Sequence, residues 1–190
     1  MAKQEDVITA VEIGTGAIKV MMGRPLDDGT MLLTGFHETP SLGRVVKGEA
    51  TNVPAVEELL HETLSQAESK SGERIGSIYL AVTGGHIEST NIRGTVPITA
   101  ADRTITEEDV IEATRNARNY QLPVEQSQVH SLQRSFIIDS HRRTNKPIGI
   151  IGNQLTADIH LIYGQQNNIQ TTCRLVDDAQ GYPAQDVAFS

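Results

Sequence analysis

The first part of the chain alternates between short apolar runs and turn-forming residues. Residues 7–13, 18–23 and 31–38 are rich in β-branched and aliphatic side chains, and each run is bounded by glycine or by the Asp28-Gly29 turn signal. The pattern therefore predicts three strands. Because only short turns separate them, we expect an antiparallel meander.

A helical repeat of apolar positions follows the third strand. Asn52 is a suitable N-cap, Pro54 falls in the first turn, where its missing N–H is harmless, and Gly72 is a suitable end. The apolar positions at helical spacing are Val56, Leu59, Leu60, Leu64 and Ala67. A strand is predicted over residues 75–85, which gives the first half the order βββαβ.

The second half is predicted as strand, helix, strand, strand. Residues 86–98 have extended character, Thr106 is a suitable helix cap, and residues 128–139 and 155–163 have strand character. The helix has a weak apolar stripe, made of Val110, Ile111, Ala113 and Ala117. We therefore expect this helix to lie on one face of a sheet.

After Gly164 the pattern predicts a further helix and the start of one more strand. Ile169, Cys173 and Val176 are expected on the inner face of that helix. The strand begins within GYPAQDVAFS, which closes the sequence. Because the sequence stops where a strand begins, we expect the chain to be a fragment of a longer protein.

Composition and charge narrow the function classes. The 190 residues carry a formal net charge of −8, which disfavours general nucleic-acid binding but leaves room for a local nucleotide site. Cys173 is the single cysteine, and neither a secretion signal nor a membrane-spanning apolar run is visible, so the cytoplasm is the expected location.

The six histidines lack metal-ligand spacing. The basic loop HRRTNK, residues 141–146, is either a solvated hairpin tip or a contact for an acidic partner.

The segment EIGTGAIK, residues 12–19, is the candidate for ligand chemistry. A dinucleotide-binding G-x-G-x-x-G fingerprint fails, because Lys19 takes the third glycine position and a strand follows instead of a helix. A P-loop fails because no Gly-Lys-Ser/Thr opens a helix. Two interpretations stay open, a phosphate-binding hairpin and a plain glycine turn.

The phosphate-binding hairpin would use five residues. Gly14 and Gly16 would let backbone N–H groups approach a phosphate, and Thr15 would add a hydroxyl. Lys19 would supply positive charge, and Glu12 would hold Mg²⁺ through water. No catalytic residue and no protein-bound metal site are predicted.

Eight segments in a fixed order carry a family resemblance. They are VEIGTGAIKVMMG, LDDGT, VVKGEATNVPAVEELLHETLSQAE, SIYLAVTGGHIESTNIRGTVPI, TEEDVIEATRNAR, VHSLQRSFIID, NKPIGIIGNQLTADIHLIY and DVAFS. Their order and spacing resemble the N-terminal part of the FtsA family of bacterial cell-division proteins. The resemblance runs from about residue 7 to residue 190 and covers less than half of a typical member.

The resemblance implies a mixed α/β fold. It is a partial actin-like (ribonuclease-H-like) subdomain with an inserted strand-helix-strand-strand module, called SHS2. Residues 1–83 would form the first part of subdomain 1A, residues 84–164 the SHS2 module (1C), and residues 165–190 the return to subdomain 1A. The resemblance also implies ATP and Mg²⁺ at the hairpin, although Ala17 stands where many members carry Lys.

The resemblance implies a division scaffold and not an enzyme. Such a protein links the FtsZ ring to the inner face of the cell membrane at the division site, forms filaments and recruits later division proteins. The second phosphate loop, the adenosine pocket and the peripheral membrane-tether helix of the family have no counterpart in this sequence, so half of the nucleotide site is expected here. Two alternatives stay open, a fragment of an actin-fold ATPase or sugar-kinase-like enzyme and a pilus-assembly protein resembling PilM.

Overall fold

The structure, a computed structural model, describes residues 7–180 and 186–188. It divides into two compact units. The second unit is Ile87–Gly164, and the first unit is formed by the described residues on either side of it. That residues 84–164 form a separate domain stays a prediction.

The predicted mixed α/β fold is confirmed. The strands are β1 (Ile8–Ile13), β2 (Ala17–Pro25), β3 (Met31–Pro40), β4 (Val45–Val46), β5 (Glu49–Ala50), β6 (Ser77–Ala81), β7 (Ile87–Pro97), β8 (Gln126–Ile138), β9 (Arg142–Thr144), β10 (Gln154–Gln165) and β11 (Asp186–Ala188). The helices are α1 (Val53–Ser71), α2 (Glu107–Arg118) and α3 (Gln166–Gln180). Strands β4, β5 and β9 were not predicted, because two or three residues are too few to show a period. The rest of the predicted last strand lies outside the described residues.

The sheet of the first unit has the strand order β11-β6-β1-β2-β3. Strands β1, β2 and β3 are antiparallel neighbours, as the predicted meander requires. Strand β6 is parallel to β1, and β11 is parallel to β6. A parallel neighbour needs a crossover connection, and α1 lies in the connection that leads to β6.

Helix α1 begins and ends at the predicted residues. The Asn52 side chain accepts a hydrogen bond from the Ala55 N–H at 3.2 Å, and Gly72 closes the helix with φ 70°. Gly35 on β3 lets the helix approach closely, because a Cβ there would lie 3.0 Å from the Ala67 carbonyl oxygen. The helix buries Val56, Leu60, Leu64 and Ala67.

The two faces of this sheet differ in cover. Val11, Val20 and Leu80 lie in register on one face and are completely or almost completely buried. Met21 and Phe36 lie opposite each other on the other face and are 48% and 40% exposed. The side chains of Glu12 and Lys19 belong to this second face, because side chains alternate along a strand.

The sheet of the second unit has the strand order β7-β10-β8-β9, and α2 packs on one of its faces. The predicted strand-helix-strand-strand order is present, with β9 as an additional short strand. Thr106 and Asp109 form a capping box at the start of α2. The prediction for Ile111 was wrong, since its side chain is 52% exposed. The helix instead packs closely against Gly94 of β7 through Ala113 and Ala117, and this narrow contact leaves Ile111 outside.

Candidate functional site

The turn between β1 and β2 holds the predicted phosphate-binding residues. The Gly14 N–H donates to the Ala17 carbonyl oxygen at 3.1 Å, which closes a short loop over residues 14–16. Thr15 and Gly16 are exposed at its tip. A Cβ at Gly16 would meet no atom within 4 Å, so open space lies in front of that residue.

Glu12 and Lys19 lie directly opposite each other on β1 and β2. The Lys19 Nζ is 3.1 Å from the Glu12 Oε2, and the two side chains are 45% and 37% exposed. The structure thus brings the predicted cation and the predicted acid together beside the turn. An ion pair with this exposure is weak, so either partner is available to a ligand.

The donor set fits the groups that a nucleotide phosphate and Mg²⁺ require. The exposed tip offers a hydroxyl and two glycines, and the flanking strands offer an ammonium and a carboxylate. Most of this set stays open to solvent. The five predicted residues lie together at this turn, and their role in ligand binding stays a prediction.

Ser41 holds the turn in place, and sequence reasoning missed it. Its side chain is completely buried, its Oγ donates to the Gly14 carbonyl oxygen at 2.7 Å, and its N–H donates to the Gly16 carbonyl oxygen at 3.1 Å. Ser41 follows Pro40, which pairs with Ala17. Assigning the register of β2 against β3 from the sequence would have placed Ser41 beside the turn.

A second hairpin packs against the end of β6. Strands β4 and β5 turn at Lys47 and Gly48, whose φ angles are 52° and 82°. The Gly85 N–H donates to the Lys47 carbonyl oxygen at 3.2 Å. A Cβ at Gly48 would overlap the Thr83 carbonyl oxygen, so only glycine allows this approach.

His86 is buried at the end of the first unit. It is 7% exposed, and neither of its ring nitrogens has a hydrogen-bond partner among the described residues. Burial lowers the pKa of His86, and the nearby Glu49 carboxylate opposes that shift in part. The His86 imidazole is therefore neutral in the folded protein near pH 7.

The described residues contain neither a metal-binding group of side chains nor a membrane-spanning helix. Among residues 7–180 and 186–188, no group of His, Cys, Asp and Glu side chains is arranged to hold a metal ion. No helix in the same part of the chain is both long enough and apolar enough to cross a membrane.

Comparison with known proteins finds a family model that matches the region of the second unit. Residues 84–163 match the family described as the SHS2 domain inserted in FtsA. The chain is similar to FtsA proteins along most of its length. This family match agrees with the observed β7-α2-β8-β9-β10 order.

Curated relatives cover most of the chain. It is 30% identical to the cell division protein FtsA of Escherichia coli K12 over 161 residues, which is 85% of this chain and 38% of that protein. It is 27% identical to FtsA of Neisseria meningitidis over 93% of this chain and 42% of that protein. It is 28% identical to FtsA of Borreliella burgdorferi over 97% of this chain and 44% of that protein. The chain spans about two fifths of the length of these relatives.

A solved structure supports the fold. The PilM-PilN type IV pilus biogenesis complex contains a chain that matches with a TM-score of 0.58 over 97% of this chain and 46% of that chain. The sequence identity is 16%. At that identity the likeness concerns the fold alone.

Proposed function

We propose that this chain acts in bacterial cell division as part of an FtsA-type scaffold. Such a scaffold links the FtsZ ring to the inner face of the cell membrane at the division site and recruits later division proteins. The observation that carries the proposal is the SHS2 match at residues 84–163 within a chain similar to FtsA along most of its length.

The two units would have separate tasks. The second unit, inserted between β6 and α3, would serve contacts with other division proteins and with further copies. We place domain boundaries after residues 83 and 164, close to the limits of the compact unit Ile87–Gly164. The first unit would provide half of a nucleotide site.

In that half-site the turn residues would hold ATP. Thr15 and the N–H groups near Gly14 and Gly16 would bind phosphate oxygens, Lys19 would balance their charge, and Glu12 would orient water on Mg²⁺. Mg²⁺ would neutralise phosphate charge when bound. The nucleotide would act as a ligand that stabilises a filament-forming conformation, so no catalytic residue is assigned.

A chimera in Escherichia coli tests the division role. In the chimera, residues 84–163 of this chain replace the SHS2 segment of E. coli FtsA. The chimera is produced in cells from which the unmodified FtsA is depleted. We expect the chimera to localise to the division site and to support septation. Filamentous growth with a stable, correctly localised chimera would contradict partner recruitment by this segment, and loss of localisation would contradict its place in the scaffold.

The nucleotide role is tested separately. The E. coli FtsA is longer than this chain and would supply the other side of the site, so its residues corresponding to 7–83 are replaced by those of this chain. ATP binding is measured with Mg²⁺ for the chimera and for its Lys19→Ala variant. We expect weaker binding in the variant, because the ammonium is lost while the turn is kept. Equal affinity would exclude Lys19 from the site.

A further inference from the structure

The open face of the second unit's sheet carries three arginines around one buried carboxylate. Asp158 on β10 is completely buried. Its Oδ2 lies 2.9 Å from Arg143 Nη1 and 3.8 Å from Arg134 Nη1, and its Oδ1 lies 3.7 Å from Arg93 Nε. We call Arg93, Arg134 and Arg143 the arginine cluster.

Most hydrogen-bond donors of the cluster are not used within the unit. Arg143 donates to Asp158 at 2.9 Å and to the Ser135 Oγ at 3.1 Å. Arg93 and Arg134 are too far from Asp158 for hydrogen bonds, and the Asp158 Oδ1 has no hydrogen-bond partner among the described residues. The three arginine side chains are 58%, 47% and 54% exposed. Each guanidinium has five N–H donors, so the cluster presents free donors to solvent.

One carboxylate does not neutralise three guanidinium groups. The cluster keeps a formal local charge of about +2, because arginine stays protonated and Asp158 supplies the single buried carboxylate between them. Asp158 holds the three groups close together, which increases their mutual repulsion. A second carboxylate arriving from outside would relieve it and would fill the open donors.

A group of acids lies on α2, on the other side of this sheet. Residues 87–164 contain eight Lys and Arg and nine Asp and Glu, so the unit is nearly neutral. Four of the nine are on α2, namely Glu107, Glu108, Asp109 and Glu112. Gly94 faces α2, and its neighbour Arg93 therefore faces away from that helix. Helix α2 also carries Arg115 and Arg118, so its four acids and two arginines give it a formal charge of −2, whereas the arginine cluster on the open face is positive.

We propose that the arginine cluster binds an acidic segment of a partner protein, one that presents two carboxylates on the same side. Alternate residues of an extended segment are about 7 Å apart, which suits guanidinium groups that share one carboxylate. The two oxygens of a carboxylate match the planar guanidinium fork, and the formal net charge of −8 disfavours a long polyanion. The basic loop at residues 141–146 enters this contact through Arg143.

A peptide-binding assay on the full chain tests this inference. The probe is a short synthetic peptide in which Asp alternates with Ser, and the matched peptide carries Asn in place of Asp. Binding is measured by fluorescence anisotropy at low salt and again at 0.5 M salt. We expect binding of the Asp peptide alone, with weakening at high salt.

Variants locate the binding face. Arg93→Gln with Arg134→Gln is expected to weaken Asp-peptide binding at least about tenfold, since each guanidinium would make charge-assisted contacts. Both side chains lack hydrogen bonds to Asp158, and circular dichroism checks that the double variant is folded. Arg118→Gln with Arg115→Gln on α2 is the matched control with the same change in charge, and its affinity should stay within about twofold.

Three outcomes would overturn the inference. They are equal binding of the Asn peptide, an equal loss in the α2 control, and stronger binding of single-stranded RNA or anionic vesicles than of the Asp peptide. The assay needs no division protein. A working chimera without peptide binding would therefore contradict this inference and leave the division role unaffected. Peptide binding with a chimera that fails would contradict the division role and leave this inference unaffected.

Discussion

Replacing Gly94 by alanine should push α2 away from its sheet and destabilise the second unit. A Cβ at position 94 would overlap the Ala117 amide nitrogen and the Ala113 carbonyl oxygen, and it would lie 2.6 Å from the Asn116 carbonyl carbon. These are backbone atoms of the helix. No side-chain rotation relieves the clash, so α2 itself has to move.

The size of the effect follows from that movement. Ordinary van der Waals contact begins near 3.4 Å, so α2 has to retreat by at least 0.8 Å from the Asn116 position alone. Ala113 and Ala117, which are 0% and 2% exposed, would lose their contact with β7. Overpacking costs about 1–3 kcal/mol, and we expect about 3 kcal/mol here because rigid backbone is involved. Such a loss is a large part of a typical stability of about 5–15 kcal/mol.

Urea unfolding and hydrogen exchange measure this loss. We expect a lower free energy of unfolding and faster exchange of the α2 amides. Gly16→Ala is the control, because its Cβ would enter open space, and it should change stability by less than about 0.5 kcal/mol. If Gly94→Ala is equally neutral, or if Ala117→Gly restores its stability, the backbone clash is not the cause and the reasoning is wrong.

Three further predictions concern the first unit. Ser41→Ala should lower the free energy of unfolding by about 1–2 kcal/mol in urea titration, because the partly buried Gly14 carbonyl loses its donor. Ser69→Ala on the exposed side of α1 should have almost no effect. Because the pKa of His86 is lowered by burial, the unfolded state takes up a proton first as the pH falls below about 6.5, so stability should fall with pH there. The free energy of unfolding of wild type relative to that of His86→Leu should decrease from pH 7 to pH 5, and a constant difference would exclude this assignment. In calorimetry with Mg²⁺ the chain alone should bind ATP weakly, and tight binding that is lost in Lys19→Ala would show that one side of the site is sufficient.

Local signals in the sequence predict the elements of this fold well. Asn52 and Gly72 bound α1 because a cap and a left-handed glycine act within one turn of the helix. The alternation along β10 predicts its buried face for the same local reason, since neighbouring side chains point to opposite sides. The contact surface of α2 escaped prediction, because Ile111 matches the helical period and yet Gly94, about twenty residues away, decides which side chains are buried.

The candidate sites are harder to predict from the sequence, because several of their residues come from distant parts of the chain. Glu12 and Lys19 are close in sequence, and a hairpin places them opposite each other, so their pairing is predictable. Ser41 reaches the turn only through the register of β3, and the arginine cluster needs residues from β7, β8, β9 and β10. Side chains assembled from several strands leave no periodic signal along the chain.

A phosphate at the turn has to compete with the Glu12 carboxylate for the Lys19 ammonium. With both side chains more than a third exposed, the pair contributes at most about 1 kcal/mol. Hydrogen bonds to charged groups contribute about 1.5–3 kcal/mol each when they are sheltered from water. A phosphate covered by another element therefore competes successfully for Lys19, whereas a phosphate on the open turn gains little. Tight phosphate binding at the turn therefore requires a second element that covers the phosphate. When Lys19 binds the phosphate, the Glu12 carboxylate is released beside it, and water-bound Mg²⁺ would be needed there to offset the two negative charges.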